Sequence, residues 1–159
     1  MGQTGMIPSA LVSTLLTAIS GYTGYAIPGE LPRITPMSHA ALADRVCGRP
    51  CGIMGFTLPS GEILIDEALP IGGDPAATSI LVHELTHFLQ IHGVAHPVPM
   101  DCGRWQARER EAFDVQVRWL RDNTDSIRTF SVQLVRLNLG AMHASCPDDA
   151  TPFGHALGH

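Results

Sequence analysis

Apolar residues recur at helical spacing along most of this chain. Leu11, Val12, Leu15, Leu16 and Ile19 share one face of a helix over residues 9 to 20, which Gly21 and Gly24 are expected to end. Ser38 is placed to cap a second helix from His39 to about Cys47. A third opens at Asp74, with Pro75 at its first position. Its apolar residues are Ala76, Ala77, Ile80, Leu81, Leu85, Phe88 and Leu89, and Gly93 is placed to stop it. A fourth runs from about Arg104 to Asp122, and a fifth from Ser126 to Leu139, where Ile127, Phe130, Leu134 and Leu137 align. Strands are fewer. Arg33 to Met37 predicts a short one, weakened by Pro36. Ile53 to Thr57 and Glu62 to Asp66 predict two more, joined by the turn-like Leu58-Pro59-Ser60-Gly61. Residues 141 to 159 are rich in Gly, Pro and Asp and predict an irregular tail, with His155 and His159 in solvent. The pattern is α+β: a mainly helical domain with a small sheet or β-hairpin just before the third helix. At 159 residues it is most simply one domain.

The third helix also carries chemistry. It contains His83-Glu84-Leu85-Thr86-His87, and residues four apart lie on one helical face. Two imidazoles can therefore point at one metal ion, with Glu84 within reach of a water beside it. Catalytic zinc takes three protein ligands and keeps one open position. The metal acidifies that water, and a neighbouring carboxylate removes its proton. Two histidines and an acid amid so much apolar sequence are costly to bury without a partner.

This segment resembles the active-site helix of the zincin metallopeptidases. The later Arg108-Glu109-Arg110-Glu111-Ala112-Phe113 resembles the glutamate-bearing second helix of the gluzincins. The layout is similar to small, minimal gluzincin-like domains and to uncharacterised bacterial zincin-like proteins, and the likeness covers roughly residues 53 to 120. It implies a zincin-like fold, one zinc ion per chain, peptide-bond hydrolysis with Glu84 as general base, and a peptide or protein substrate. It also implies that an edge strand of the preceding hairpin binds that substrate in extended form.

The third ligand has several candidates. At about 100° per residue, Trp105, Ala112, Phe113, Val115, Trp119 and Leu120 form one broad apolar face. Glu109 lies near its middle and Gln116 shares it, whereas Glu111 falls toward the opposite side, near Arg108, Asp114 and Arg118. A carboxylate facing a core needs a strong partner, and a metal ion is one. The gluzincin resemblance also selects Glu109, with small Ala112 three residues on. Glu111 is the competing acid, and His92 and His96 are loop-side alternatives. The metzincin spacing fails, because Gln90 and Gly93 occupy the places of its glycine and third histidine. Phe113 departs from the gluzincin pattern, where an acid often supports a ligand histidine; Asp114 or Asp101 could fill that role. Tyr22, Tyr25, His92, His96 and His143 are candidate donors to a developing oxyanion.

Charge and cysteines refine this reading. A net charge of −5 argues against nucleic acid or an anionic membrane as partner. The apolar run from Ser9 to Ser20 is too short to span a bilayer. No basic residue precedes it, the first being Arg33, so it is no convincing signal peptide. Cys47, Cys51, Cys102 and Cys146 allow two disulfides, with Cys47–Cys51 favoured by proximity and Cys102–Cys146 as the remaining pair. That favours a secreted or periplasmic protein over a cytoplasmic one, its signal already removed. The alternative to a peptidase is a non-catalytic interaction module in which zinc supports the fold; the presence of Glu84 argues against it.

Overall fold

The computed structural model describes residues 5–93 and 101–124. The helix expected from Ser126 to Leu139, the tail, and His96, His143, Cys146, His155 and His159 lie outside the described residues. In chain order the elements are α1 (Ser9–Thr23), β1 (Ile34–Met37), α2 (His39–Cys47), β2 (Gly55–Thr57), β3 (Ile63–Asp66), α3 (Pro75–His92) and α4 (Cys102–Asn123). The class is α+β, as the pattern predicts.

Local chemistry sets the helix limits. Ser38 accepts from the Ala41 N–H at the start of α2. Asp74 accepts from the Ala76 N–H at the start of α3, with Pro75 in the first turn, where its missing N–H does no harm. Asp101 caps α4 by accepting from the Arg104 N–H, so this helix begins two residues earlier than its apolar pattern suggests. Gly24, at φ 78°, closes α1 in the left-handed region. Gly21 does not end α1 but lies inside it, because packing of Val12, Leu15, Leu16 and Ile19 carries the helix past it. Gly93 ends α3 for a different reason from the one expected. Its φ is −87°, yet a Cβ there would lie 3.0 Å from the Ala26 carbonyl oxygen and 3.1 Å from Tyr25 Cβ. The glycine lets the chain after α1 pass close by.

The three strands form one sheet in the order β1-β3-β2. The expected hairpin is present, with β2 antiparallel to β3 and Phe56 opposite Leu64. The parallel partnership of β1 with β3, from Ile34↔Ile63 to Met37↔Asp66, is an addition to it. It places Pro36 on an edge strand, where a missing donor is tolerated. All four residues of central β3 are buried. Helix α3 packs against α4, α1 and the sheet. Leu81, Leu85 and Leu89 are fully buried there beside Leu16, Ile19, Ile63 and Leu120.

The disulfide Cys47–Cys51 ties the end of α2 to the segment entering β2. Cys102 is not a free thiol; its expected partner Cys146 lies outside the described residues. No helix among these residues is long and apolar enough to cross a membrane. Because Leu85 is 0 % exposed at the centre of this packing, Leu85→Ala is expected to lower unfolding free energy by about 2–5 kcal/mol. Urea midpoints of wild type and variant measure this.

Candidate metal centre

The centre lies where α3 crosses α4. His83 and His87 sit one turn apart on α3, their ring centroids separated by 4.8 Å. Glu109 projects from α4 toward both. Its Oε2 is 3.2 Å from His83 Nε2, its Oε1 is 3.0 Å from His87 Nε2, and the two Nε2 atoms are 3.1 Å apart. The ligand atoms of these three residues lie within 4.8 Å of one another and could hold a metal ion. Ala112, fully buried one turn after Glu109, lets the helices approach closely.

The donor set suits a cation. Three side chains, largely removed from water, bring their ligand atoms together. Burial opposes charge on His87, but Glu109, together with Glu84 and Gln90, more than offsets this, and the ring is pushed up to about 9. Burial works against the Glu109 carboxylate as well, yet the two imidazoles hold it far below the usual range. A divalent ion would take over the role these protons play, neutralising a buried acid between two rings.

Glu84 turns away from the rings' partner helix and toward the sheet. It is buried, and the Thr57 hydroxyl lies 2.8 Å from its Oε2 and 3.0 Å from its backbone oxygen. Gly55 makes the approach possible: a Cβ there would lie 2.9 Å from Glu84 Cγ. Neither Thr57 nor Gly55 is legible as a site residue from sequence spacing, because their positions depend on the hairpin packing against α3.

The remaining candidates fall elsewhere. Glu111 is not a member of the cluster, and it does not face solvent either. Its Oε2 accepts from the Tyr25 hydroxyl at 3.2 Å, and its Oε1 is 3.5 Å from Gln90 Nε2. As the helical wheel places it, Glu111 lies off the Glu109 face, on a side of α4 where the end of α1 and the segment after it meet Glu111, Arg118 and Asp122. There Tyr22 donates to Asp122 at 2.6 Å and lies under the Arg118 guanidinium. Burial and the neighbouring acid push each tyrosine up to about 12. Both hydroxyls are thus engaged with α4 carboxylates. His92 bonds the Ser60 carbonyl at 3.1 Å and is outside the cluster. Asp101 is used as a helix cap and Asp114 is exposed. His83 Nδ1 is buried with no hydrogen-bond partner among the described residues, its ring edge-on to Phe113 at 4.4 Å. The other nitrogen of His87, in contrast, is 2.8 Å from Gln90 Oε1. Gln90 escapes notice in the sequence, although its spacing of three from His87 places it on the same helical face.

Comparison of the chain with protein-family models, curated proteins and solved structures finds no match.

Two outcomes follow from this geometry. Glu109→Ala is expected to weaken metal binding at least tenfold, and Glu111→Ala to change it far less, when each is titrated against a chromophoric chelator; the reverse ranking would transfer the ligand to Glu111. The second concerns pH. A metal-bound Nε2 carries no proton, while His87 in the metal-free protein keeps its charge up to about 9. Affinity should therefore rise about tenfold per pH unit from neutrality and level off above that value. A flat profile between pH 7 and 9 would remove His87 from the ligand set.

Proposed function

We propose that this protein is a zinc-dependent metallopeptidase of the gluzincin type. The observation that carries the reading is the convergence of His83, His87 and Glu109 beside a buried Glu84. A tetrahedral ion with bonds of about 2.0–2.1 Å spaces its ligands about 3.3 Å apart. The two Nε2 atoms, 3.1 Å apart, lie close to that spacing, and each faces its own oxygen of Glu109, at 3.0 Å from His87 and 3.2 Å from His83. Two imidazoles and one carboxylate are a donor set that leaves zinc a fourth position. The likeness of the two motif segments to zincin helices points the same way.

When bound, zinc supplies a Lewis acid and makes water acidic enough to attack at neutral pH. The chain's own residues do the rest. Glu84 accepts the proton from the attacking water and delivers it to the leaving amine. Thr57 holds the carboxylate against the sheet, fixing the direction from which it works. The side chain is 6 % exposed, so bulk water competes little for it. Strand β2 lies at the edge of the sheet next to Glu84. Strand edges bind extended peptides through backbone hydrogen bonds, which supports a peptide or protein as substrate.

Glu84→Gln tests the reading. The amide is nearly isosteric but cannot take a proton from water. The variant is expected to keep its zinc and to lose about 10²–10⁴-fold in hydrolysis of a casein or mixed-peptide substrate. Zinc-loaded wild type that cleaves nothing between pH 6 and 9 would instead favour a module in which the metal supports the fold.

A further inference from the structure

His87 uses both of its ring nitrogens. Nε2 faces Glu109 and His83, and Nδ1 is 2.8 Å from the side-chain oxygen of Gln90. Gln90 is itself 3 % exposed. Shape alone does not distinguish the two ends of a carboxamide, but the neighbours do. The Gln90 nitrogen lies 3.0 Å from the Arg108 carbonyl oxygen and 3.5 Å from Glu111 Oε1, both acceptors. Reversing the amide would set its oxygen against both. The oxygen must therefore face His87, and Nδ1 must carry the proton between them. That leaves Nε2 as the nitrogen whose lone pair can meet a metal ion. Glu111 is in turn held by Tyr25 from the segment after α1. The amide is thus anchored by α4, and indirectly, through Glu111, by the segment after α1.

The other ligand has no such support. Among the described residues His83 Nδ1 is buried without a hydrogen-bond partner, against the Phe113 ring. Gln90 thus orients His87 alone of the two rings. A carboxylate could accept the same hydrogen bond. It would also add a charge to a pocket that already holds Glu84, Glu109 and Glu111, and like charges at this range disfavour one another. A neutral acceptor fixes the ring without that cost.

We propose that Gln90 is a positioning residue of the metal centre: clamped by Arg108 and Glu111 on α4, it holds His87 in the tautomer that presents Nε2 to the metal. The inference rests on the zinc reading above, and the measurement separates the two. Zinc affinity is read by chelator competition in wild type, His87→Ala and Gln90→Met, the last preserving length and apolar packing while removing the acceptor. Gln90→Met is expected to bind zinc about 10- to 100-fold more weakly than wild type. In zinc-loaded wild type, nitrogen-15 imidazole spectra should show His87 coordinated through Nε2, with an Nδ1–H that exchanges slowly with water. That exchange should become fast in the variant. If His87→Ala loses zinc while Gln90→Met stays within about threefold of wild type, the inference falls and the metal site stands. Wild type that binds no zinc overturns both. Should Gln90→Met not fold, the wild-type spectrum decides: coordination through Nδ1, or exchange as fast as in an exposed imidazole, overturns the proposal.

Discussion

Helix α3 is buried on most of its circumference, and it carries ionisable side chains into that interior. Isolated charges there would cost several kcal/mol each, so each one requires a partner delivered by another element. The packing around α3 meets this demand in two directions. Helix α4 brings Glu109 to His83 and His87, and the hairpin brings Thr57 to Glu84. The close approach on each side depends on a small residue, Ala112 on α4 and Gly55 on β2. The leucines at positions 81, 85 and 89 fix the helix between these partners.

The sheet side is braced from further away. His39 at the start of α2 has Nδ1 2.9 Å from Asp66 at the end of β3, and Nε2 3.0 Å from the Cys51 carbonyl. The disulfide Cys47–Cys51 closes the same corner. The segment that leads into β2 is therefore held at its beginning by a covalent link and a histidine, and at its end by the ladder to β3. The placement of Thr57, and through it Glu84, inherits that rigidity. A hydroxyl has one hydrogen, and here it faces both the carboxylate and the backbone oxygen of the same residue. Side chain and main chain of Glu84 are thereby referred to one point on the strand.

Much of this was legible in the sequence, and the boundary is physical. The start of α3 follows from Asp74 and Pro75, and the His83–His87 pairing follows from helical periodicity, because both are local; Gly93 marks the end of α3, but its close tertiary approach is not legible in the sequence. Glu109 was legible because an acid in the middle of an apolar face is an anomaly that needs an explanation. The parallel pairing of β1 with β3 was not, since alternation says which residues form a strand but not which strand lies beside it. Gly21 signalled an end that tertiary packing overrode. Glu111 falls on the side opposite the apolar face, and it does lie outside the cluster; its partners were not legible, because a helical wheel shows one helix alone. Here Tyr25 bonds Glu111 and Tyr22 bonds Asp122 through side chains that are apolar in body and polar at the tip. Thr57 carries no distinctive spacing, and the spacing of Gln90 from His87 says only that they share a helical face. Their importance lies in which atom they present to a neighbour, and that is decided only once the elements have packed.

The hydrogen-bond partners of the acids around α4 separate those with fixed protons from those whose protons move. Glu84 is met by a threonine hydroxyl, Glu111 by Tyr25 and an amide, and Asp122 by Tyr22. The threonine and the amide do not ionise in the working range, and both tyrosines keep their protons to about 12. Glu109 differs, because its partners are imidazoles. His87, pushed up to about 9 by that same carboxylate, is the group in the cluster from which a cation can displace a proton. The arrangement concentrates exchangeable charge at one point and surrounds it with donors that do not change. A metal ion bound there would exchange with the proton between His87 and Glu109, and the contacts of Glu84 with Thr57 and of Gln90 with α4 involve no group that must give up a proton. That division is what a site needs if it is to take up a cation without refolding its own walls.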